Sequence, residues 1–162
     1  MKILIVHNHY QQYGGEDAVV VANLNMLRKF GEEVYLYERT NSEINNNSIL
    51  KRIVTLSRVH YSKESYREIK KKLQEIRPDI VHCYNTFFHI TPSVYDACRE
   101  AAVPVIQSLF NYRLICANAL FLRNNKHCTD CLQKSRWRSV AFACYRNSRI
   151  LTALMVNMIN YH

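Results

Sequence analysis

The chain opens on an almost unbroken apolar run, Lys2-Ile3-Leu4-Ile5-Val6-His7, and then turns abruptly into HNHYQQYGG. A strand buried on one face alternates apolar and polar residues. A run without that alternation fits a strand covered on both faces, as in parallel sheets enclosed by helices. Downstream, Val19, Val20, Leu24, Leu27 and Phe30 recur close to the helical period, and Gly31 stands where a helix would stop. Strand, glycine loop and helix thus form the opening of an α/β fold.

The alternation continues. Residues 33–38, EVYLYE, read as a second strand. Residues 40–60 are polar and then basic, and Asn45, Asn46 and Asn47 suggest a surface loop. A helix is expected from about Lys63 to Ile76, with Tyr66, Ile69 and Leu73 on one face. Pro78 and Asp79 lead into a strand at 80–84. Pro92 sits near the first turn of the next helix, where its missing amide donor is tolerated. Ala102 and Val103 end that helix, and VPVIQSLF is the next strand. This order implies a Rossmann-like, mostly parallel sheet flanked by helices. One domain is expected over 1–149, with a cysteine-rich segment at 116–144. Residues 150–162 read as a terminal helix or the start of an interdomain linker. Their apolar run ILTALMVNMI suits burial ahead of a partner-facing or membrane-surface position.

The 162 residues, 48% hydrophobic, suffice for one sizeable core. The mean hydropathy of -0.25 is that of an ordinary globular chain. MKILIV becomes polar too early for a signal peptide, and no stretch matches a membrane span. A cytoplasmic location is expected, extending to the inner face of a membrane. The net charge of +9 is uneven: residues 110–149 carry eight basic side chains and one acidic, Asp130. Residues 51–77 carry nine basic and three acidic. Such segments admit an anionic membrane surface, a phosphorylated ligand or nucleic acid, the last being the least favoured.

Ligands of parallel sheets sit beyond the strand C-terminal ends. Those ends carry His7, Asn8 and His9, then His82, Asn85 and Thr86, then Asn111, Tyr112 and Arg113. They supply donors, acceptors and a candidate base, and Arg113 offers a fork for a carboxylate or phosphate. Gly14 and Gly15 can adopt positive backbone angles and admit a ligand close to the main chain. Glu16 and Asp17 complement the positive end of the following helix and would repel phosphate, but can accept bonds from sugar hydroxyls. Neither G-x-G-x-x-G nor G-x-x-x-x-G-K-[ST] is present.

Four of the six cysteines are spaced Cys116-x11-Cys128-x2-Cys131-x12-Cys144. The C-x2-C pair with two further thiols suits tetrahedral zinc in a closed, structural site. An iron–sulfur cluster is the less favoured occupant, and free buried thiols or a disulfide are the other readings. Cys83 and Cys98 fall within a strand and a helix and read as packing residues.

The segments HNHYQQYGGEDAVV, PDIVHCYNTFFHITPSVYDACREAAVPVIQSLFNYRLICANALF and CTDCL through CYRNSR together resemble the N-terminal domain of family 4 glycosyltransferases of the GT-B class. The likeness is to a bacterial and archaeal subgroup with a cysteine-bearing insertion. It implies one half of a GT-B architecture and retaining transfer from a nucleotide-sugar donor to a glycan or lipid-linked acceptor. This half would hold the acceptor, with Asn8, Asn85, Thr86, Asn111, Tyr112 and Arg113 lining the cleft. The Gly14–Gly15 loop would lie near the donor phosphates. A separate C-terminal domain, absent from this sequence, would bind the donor, so the chain alone is expected to be inactive. Two positions depart from the family pattern: Phe110 replaces a histidine, and Ala117 replaces the proline of CPN. The residues without the resemblance leave two other readings, a metal-stabilised basic module for nucleic acid or another phosphorylated ligand and a non-catalytic partner-binding domain.

Overall fold

The computed structural model describes residues 1–10, 12–40 and 60–161. The expected loop at Asn45–Asn47 and the basic positions Lys51, Arg52 and Arg58 lie outside the described residues. The chain divides into two compact units, Met1–Ser108 and Leu109–His162.

The first unit contains β1 (Lys2–His9), α1 (Gly15–Lys29), β2 (Glu33–Thr40), α2 (Lys63–Ile76), β3 (Ile80–Cys83), α3 (Ser93–Glu100) and β4 (Val105–Gln107). The four strands form one parallel sheet in the order β2-β1-β3-β4. Strand order therefore reverses between β1 and β3, which opens a crevice at their C-terminal ends. The apolar opening run explains the centre of the sheet. Ile3 and Ile5 join Val20, Leu24, Val34 and Tyr84 in one cluster. Leu4 and Val6 point the other way, into a second cluster with Ile69, Leu73, Val94, Ala97 and Cys98. β1 is thus enclosed on both faces, and the sheet is flanked by helices as a Rossmann-like arrangement requires.

Local signals set the helix ends. Ser62 caps α2 by accepting the Ser65 N–H at 3.1 Å on its hydroxyl. Gly31, at φ +84°, takes the left-handed turn after α1 that a side chain would resist. α3 starts immediately after Pro92 but stops at Glu100, shorter than expected, because Ala102 enters the left-handed region at φ 53°. The fourth strand shortens correspondingly to Val105–Gln107. Cys83 and Cys98 are fully buried, as packing residues should be. Burial raises the Cys83 thiol well above its ordinary value, and that of Cys98 to about 11.

The second unit is built from short pieces: the hairpin β5 (Leu122–Arg123) and β6 (Lys126–His127), α4 (Asp130–Gln133), α5 (Arg138–Ala141) and α6 (Arg149–Tyr161). Asn124 and Asn125 make the two-residue hairpin loop, with φ 52° and 57°. Positive φ at both central positions is the type I′ geometry, which asparagine tolerates better than most residues. α5 packs against α6, whose Thr152, Met155, Val156, Met158 and Ile159 are buried. Among the described residues no helix is long and apolar enough to cross a membrane.

Candidate functional site

β1 runs on through His9, so His7 and His9 belong to the strand itself. Side chains two apart on a strand share a face. His7 and His9 therefore continue the row of Ile3 and Ile5 toward α1. Asp17, in the first turn of α1, meets both. His7 Nε2 lies 2.9 Å and His9 Nδ1 2.7 Å from the same atom, Asp17 Oδ1. The other oxygen, Oδ2, accepts the Gly14 N–H at 2.8 Å. His9 Nε2 stands 3.1 Å from Glu38 Oε2 on β2. The parallel register, which pairs His7 with Glu38, brings this fourth group within reach.

His7 and Asp17 are 0% and 1% exposed, whereas His9 is 29% exposed. Burial holds His7 below its ordinary value and outweighs the opposing bond to Asp17. Burial pushes the Asp17 carboxyl upward, yet the bonds from His7, Gly14 and His9 together hold it below its usual range. The pair is best described as a neutral imidazole donating Nε2–H to a carboxylate. His7 Nδ1 is buried without a hydrogen-bond partner among the described residues.

The expected cleft residues of this unit play several parts. Asn8 is fully buried, and its amide donates to the carbonyls of Phe87 and His9. Asn85 donates to the Asn8 carbonyl at 2.6 Å and accepts the Phe87 N–H at 3.0 Å. These two asparagines join the end of β1 to the segment after β3. Thr86 is buried, and its carbonyl accepts from Thr91 N–H at 2.7 Å. His82 is half-buried, stacks on Tyr84 at 4.3 Å and meets Ser108 Oγ at 2.8 Å. Glu16 is half-buried at the start of α1.

The glycine loop differs from its expectation. Gly14 is extended, at φ -133°, so the turn does not use a left-handed glycine. Its backbone is instead fixed by Asp17, which sits at the third helical position and receives the N–H before the first turn. A side chain at Gly15 would meet nothing within 4 Å. That position is open, as close approach by a ligand would need.

Asn111, Tyr112 and Arg113 belong to the second unit. Asn111 Oδ1 accepts the Arg113 N–H at 3.0 Å in a local turn. The Tyr112 ring packs on Phe121 at 4.5 Å, and the Arg113 guanidinium lies 5.9 Å from the Tyr145 ring centroid.

The four cysteines of this unit are reduced. Cys116 ends a turn closed by its N–H on the Tyr112 carbonyl, and its thiol lies 2.9 Å from Asn118 Oδ1. Cys128 follows the hairpin and bonds through its N–H to the Phe121 carbonyl, while Cys131 lies in α4. Cys144 follows α5, past Ala143 in the left-handed region. Burial raises the Cys131 thiol, and Cys116, Cys144 and Cys128 raise it further. Burial likewise raises Cys144, opposed by Arg123 and reinforced by Cys116 and Cys128. The four thiols thus share one electrostatic neighbourhood. Asp130 pairs with Arg123 at 2.9 Å and approaches Lys134 and Arg138 at 3.7 and 3.8 Å. Arg123 also lies 4.0 Å over the Phe142 ring.

Among the described residues, however, the group whose donor atoms all lie within 4.8 Å of one another is His7, His9 and Asp17, not the thiols. The sequence alone puts His9 among the cleft residues, leaves His7 as one of several polar strand-end residues, and gives Asp17 to the helix dipole and to sugar hydroxyls. The signal was present in the H-x-H spacing, which puts both rings on the α1 face.

No family model matches the chain, and no curated protein or solved structure does either.

Proposed function

We propose that this chain is the acceptor-binding part of a retaining GT-B glycosyltransferase, with the nucleotide-sugar donor bound by a separate domain. The observation that carries the reading is the reversal of strand order between β1 and β3. It brings the end of β1 next to the segment after β3, where Asn85 bonds to the Asn8 carbonyl, and Gly15 at the start of α1 is open. Ligands of open parallel sheets sit beyond the strand ends at such a reversal of strand order. The sequence resemblance supplies the reaction class.

The second part of the proposal is a structural zinc on Cys116, Cys128, Cys131 and Cys144. The mutual influence of the thiols, the hairpin before Cys128 and the cations Arg123, Lys134 and Arg138 support it. Four thiolates around a divalent ion carry net negative charge, which those cations offset.

The binding test uses Gly15→Phe, which adds bulk into open space and spares the core. Saturation-transfer NMR against glycans and polyprenyl-linked sugars should detect acceptor binding by the native chain and a loss of at least tenfold in the variant. Sugar nucleotides should give no comparable signal. Rapid sugar transfer by the chain alone, or equal acceptor binding by the variant, would sink the assignment.

A further inference from the structure

We infer that His7, His9 and Asp17 form a binding site for a divalent first-row transition ion at the C-terminal end of β1, independent of the cysteines. Two imidazole nitrogens and a carboxylate oxygen are a donor set suited to zinc and its neighbours. His7 Nε2 and His9 Nδ1 both aim at Asp17 Oδ1, at 2.9 and 2.7 Å. An ion about 2.0–2.2 Å from each donor needs them roughly 3–3.5 Å apart. Outward movement of a few tenths of an ångström meets that need for both contacts to Asp17, and the two ring nitrogens lie within 4.8 Å of each other.

The surrounding groups favour the ion. Asp17 Oδ2 is held by the Gly14 N–H, which fixes the carboxylate plane and leaves Oδ1 turned toward the rings. His9 has a carboxylate oxygen at each nitrogen, Asp17 at 2.7 Å and Glu38 at 3.1 Å. A neutral ring has one proton and satisfies one of those contacts. A metal on Nδ1 removes the competition, because the remaining Nε2–H then donates to Glu38. A histidine bound to metal at one nitrogen and to a carboxylate at the other is the usual outer arrangement of such sites. On His7 the ion takes Nε2 and moves the ring proton to Nδ1, which is buried without a partner among the described residues, so the outer carboxylate bond is made by His9 and not by His7. Three protein ligands leave a coordination position for water or a ligand oxygen. His9, at 29% exposure, marks the side from which an ion enters.

The experiment titrates Co²⁺ and then Zn²⁺ into the metal-free full chain and into His9→Gln. His9 is the most exposed of the three ligands, and glutamine retains a polar side chain there. The native chain should bind one more equivalent than the variant. The difference spectrum should show weak visible bands and no intense near-ultraviolet thiolate band. Zinc should also shift the ¹⁵N resonances of His7 Nε2 and His9 Nδ1. Glu38→Gln should weaken the same equivalent by about 10- to 100-fold. Equal stoichiometry in native and variant chains, or a thiolate band in the difference spectrum, overturns the site. Unmoved imidazole nitrogens on saturation with zinc overturn it equally.

Discussion

The first and second units solve the same problem by different means. In the first, strands of up to eight residues and helices of up to 15 residues bury regular apolar rows, and the rows hold the backbone. In the second, the pieces before α6 are two to four residues long. Its backbone enters the left-handed region at Ala119, Phe121, Asn124, Asn125, Ala143, Arg146 and Asn147 without a glycine. Each such residue costs roughly 1 kcal/mol relative to ordinary backbone. The surroundings must impose those angles, and they combine the Tyr112–Phe121 ring pair with polar contacts: the Asn118 turn, the Arg123–Asp130 pair and the four thiols. Outside α6, whose Met155, Val156, Met158 and Ile159 are buried, this unit has no long apolar row among its described residues and leans on specific chemistry.

The largest test of that contrast removes a row. Leu4→Ala, at a fully buried site in the first core, should destabilise the chain by about 2–5 kcal/mol in urea unfolding. Ile150→Ala, at a side chain 77% exposed, should fall within about 0.5 kcal/mol of the native protein. Similar losses at the two sites would break the comparison.

The next test addresses the cysteines. With zinc bound, hydrogen exchange should show amides of 112–147 protected. Replacement of Cys128 and Cys131 by serine should lower that protection by at least tenfold while β1 and β3 keep theirs. Unchanged exchange in 112–147 would return the thiols to packing roles and leave the polar contacts, the Tyr112–Phe121 pair and α6 to hold this unit.

The smallest effect concerns pH and sharpens the picture of the first unit. Burial holds His82 below its ordinary value of 6.5. The unfolded chain therefore takes up this proton more readily than the folded one. The stability contributed by the neutral ring is present above about pH 6.5 and declines as the pH falls through that value toward the folded-state one. His82→Phe keeps a ring against Tyr84 and removes the proton. Urea midpoints compared at pH 7.5 and 5.5 should differ less in the variant than in the native chain. An equal difference would assign the acid sensitivity elsewhere.

The sequence was most legible where side-chain period matched backbone period. The apolar run at 2–7, the spacing of Ile69 and Leu73 in α2, Gly31 after α1 and Pro92 before α3 all led to the elements present. It was least legible from 109 onward. The Asn124–Asn125 turn joins strands of only two residues, too short for alternation to register. The left-handed angle at Ala102 also escaped, because alanine gives no local sign of it.

By itself, then, the sequence determined a parallel α/β arrangement, the enclosure of β1, and packing roles for Cys83 and Cys98, because burial patterns repeat along the chain at fixed periods. Only the tertiary structure decided that Asn8 and Asn85 bond to backbone across the strand ends. It alone decided that Asp17 stands between two histidines, with Glu38 behind. Those facts depend on strand register and on where α1 begins, which bring together residues 7, 9, 17 and 38. No local pattern encodes such a meeting, since its geometry comes from the packing of separate elements.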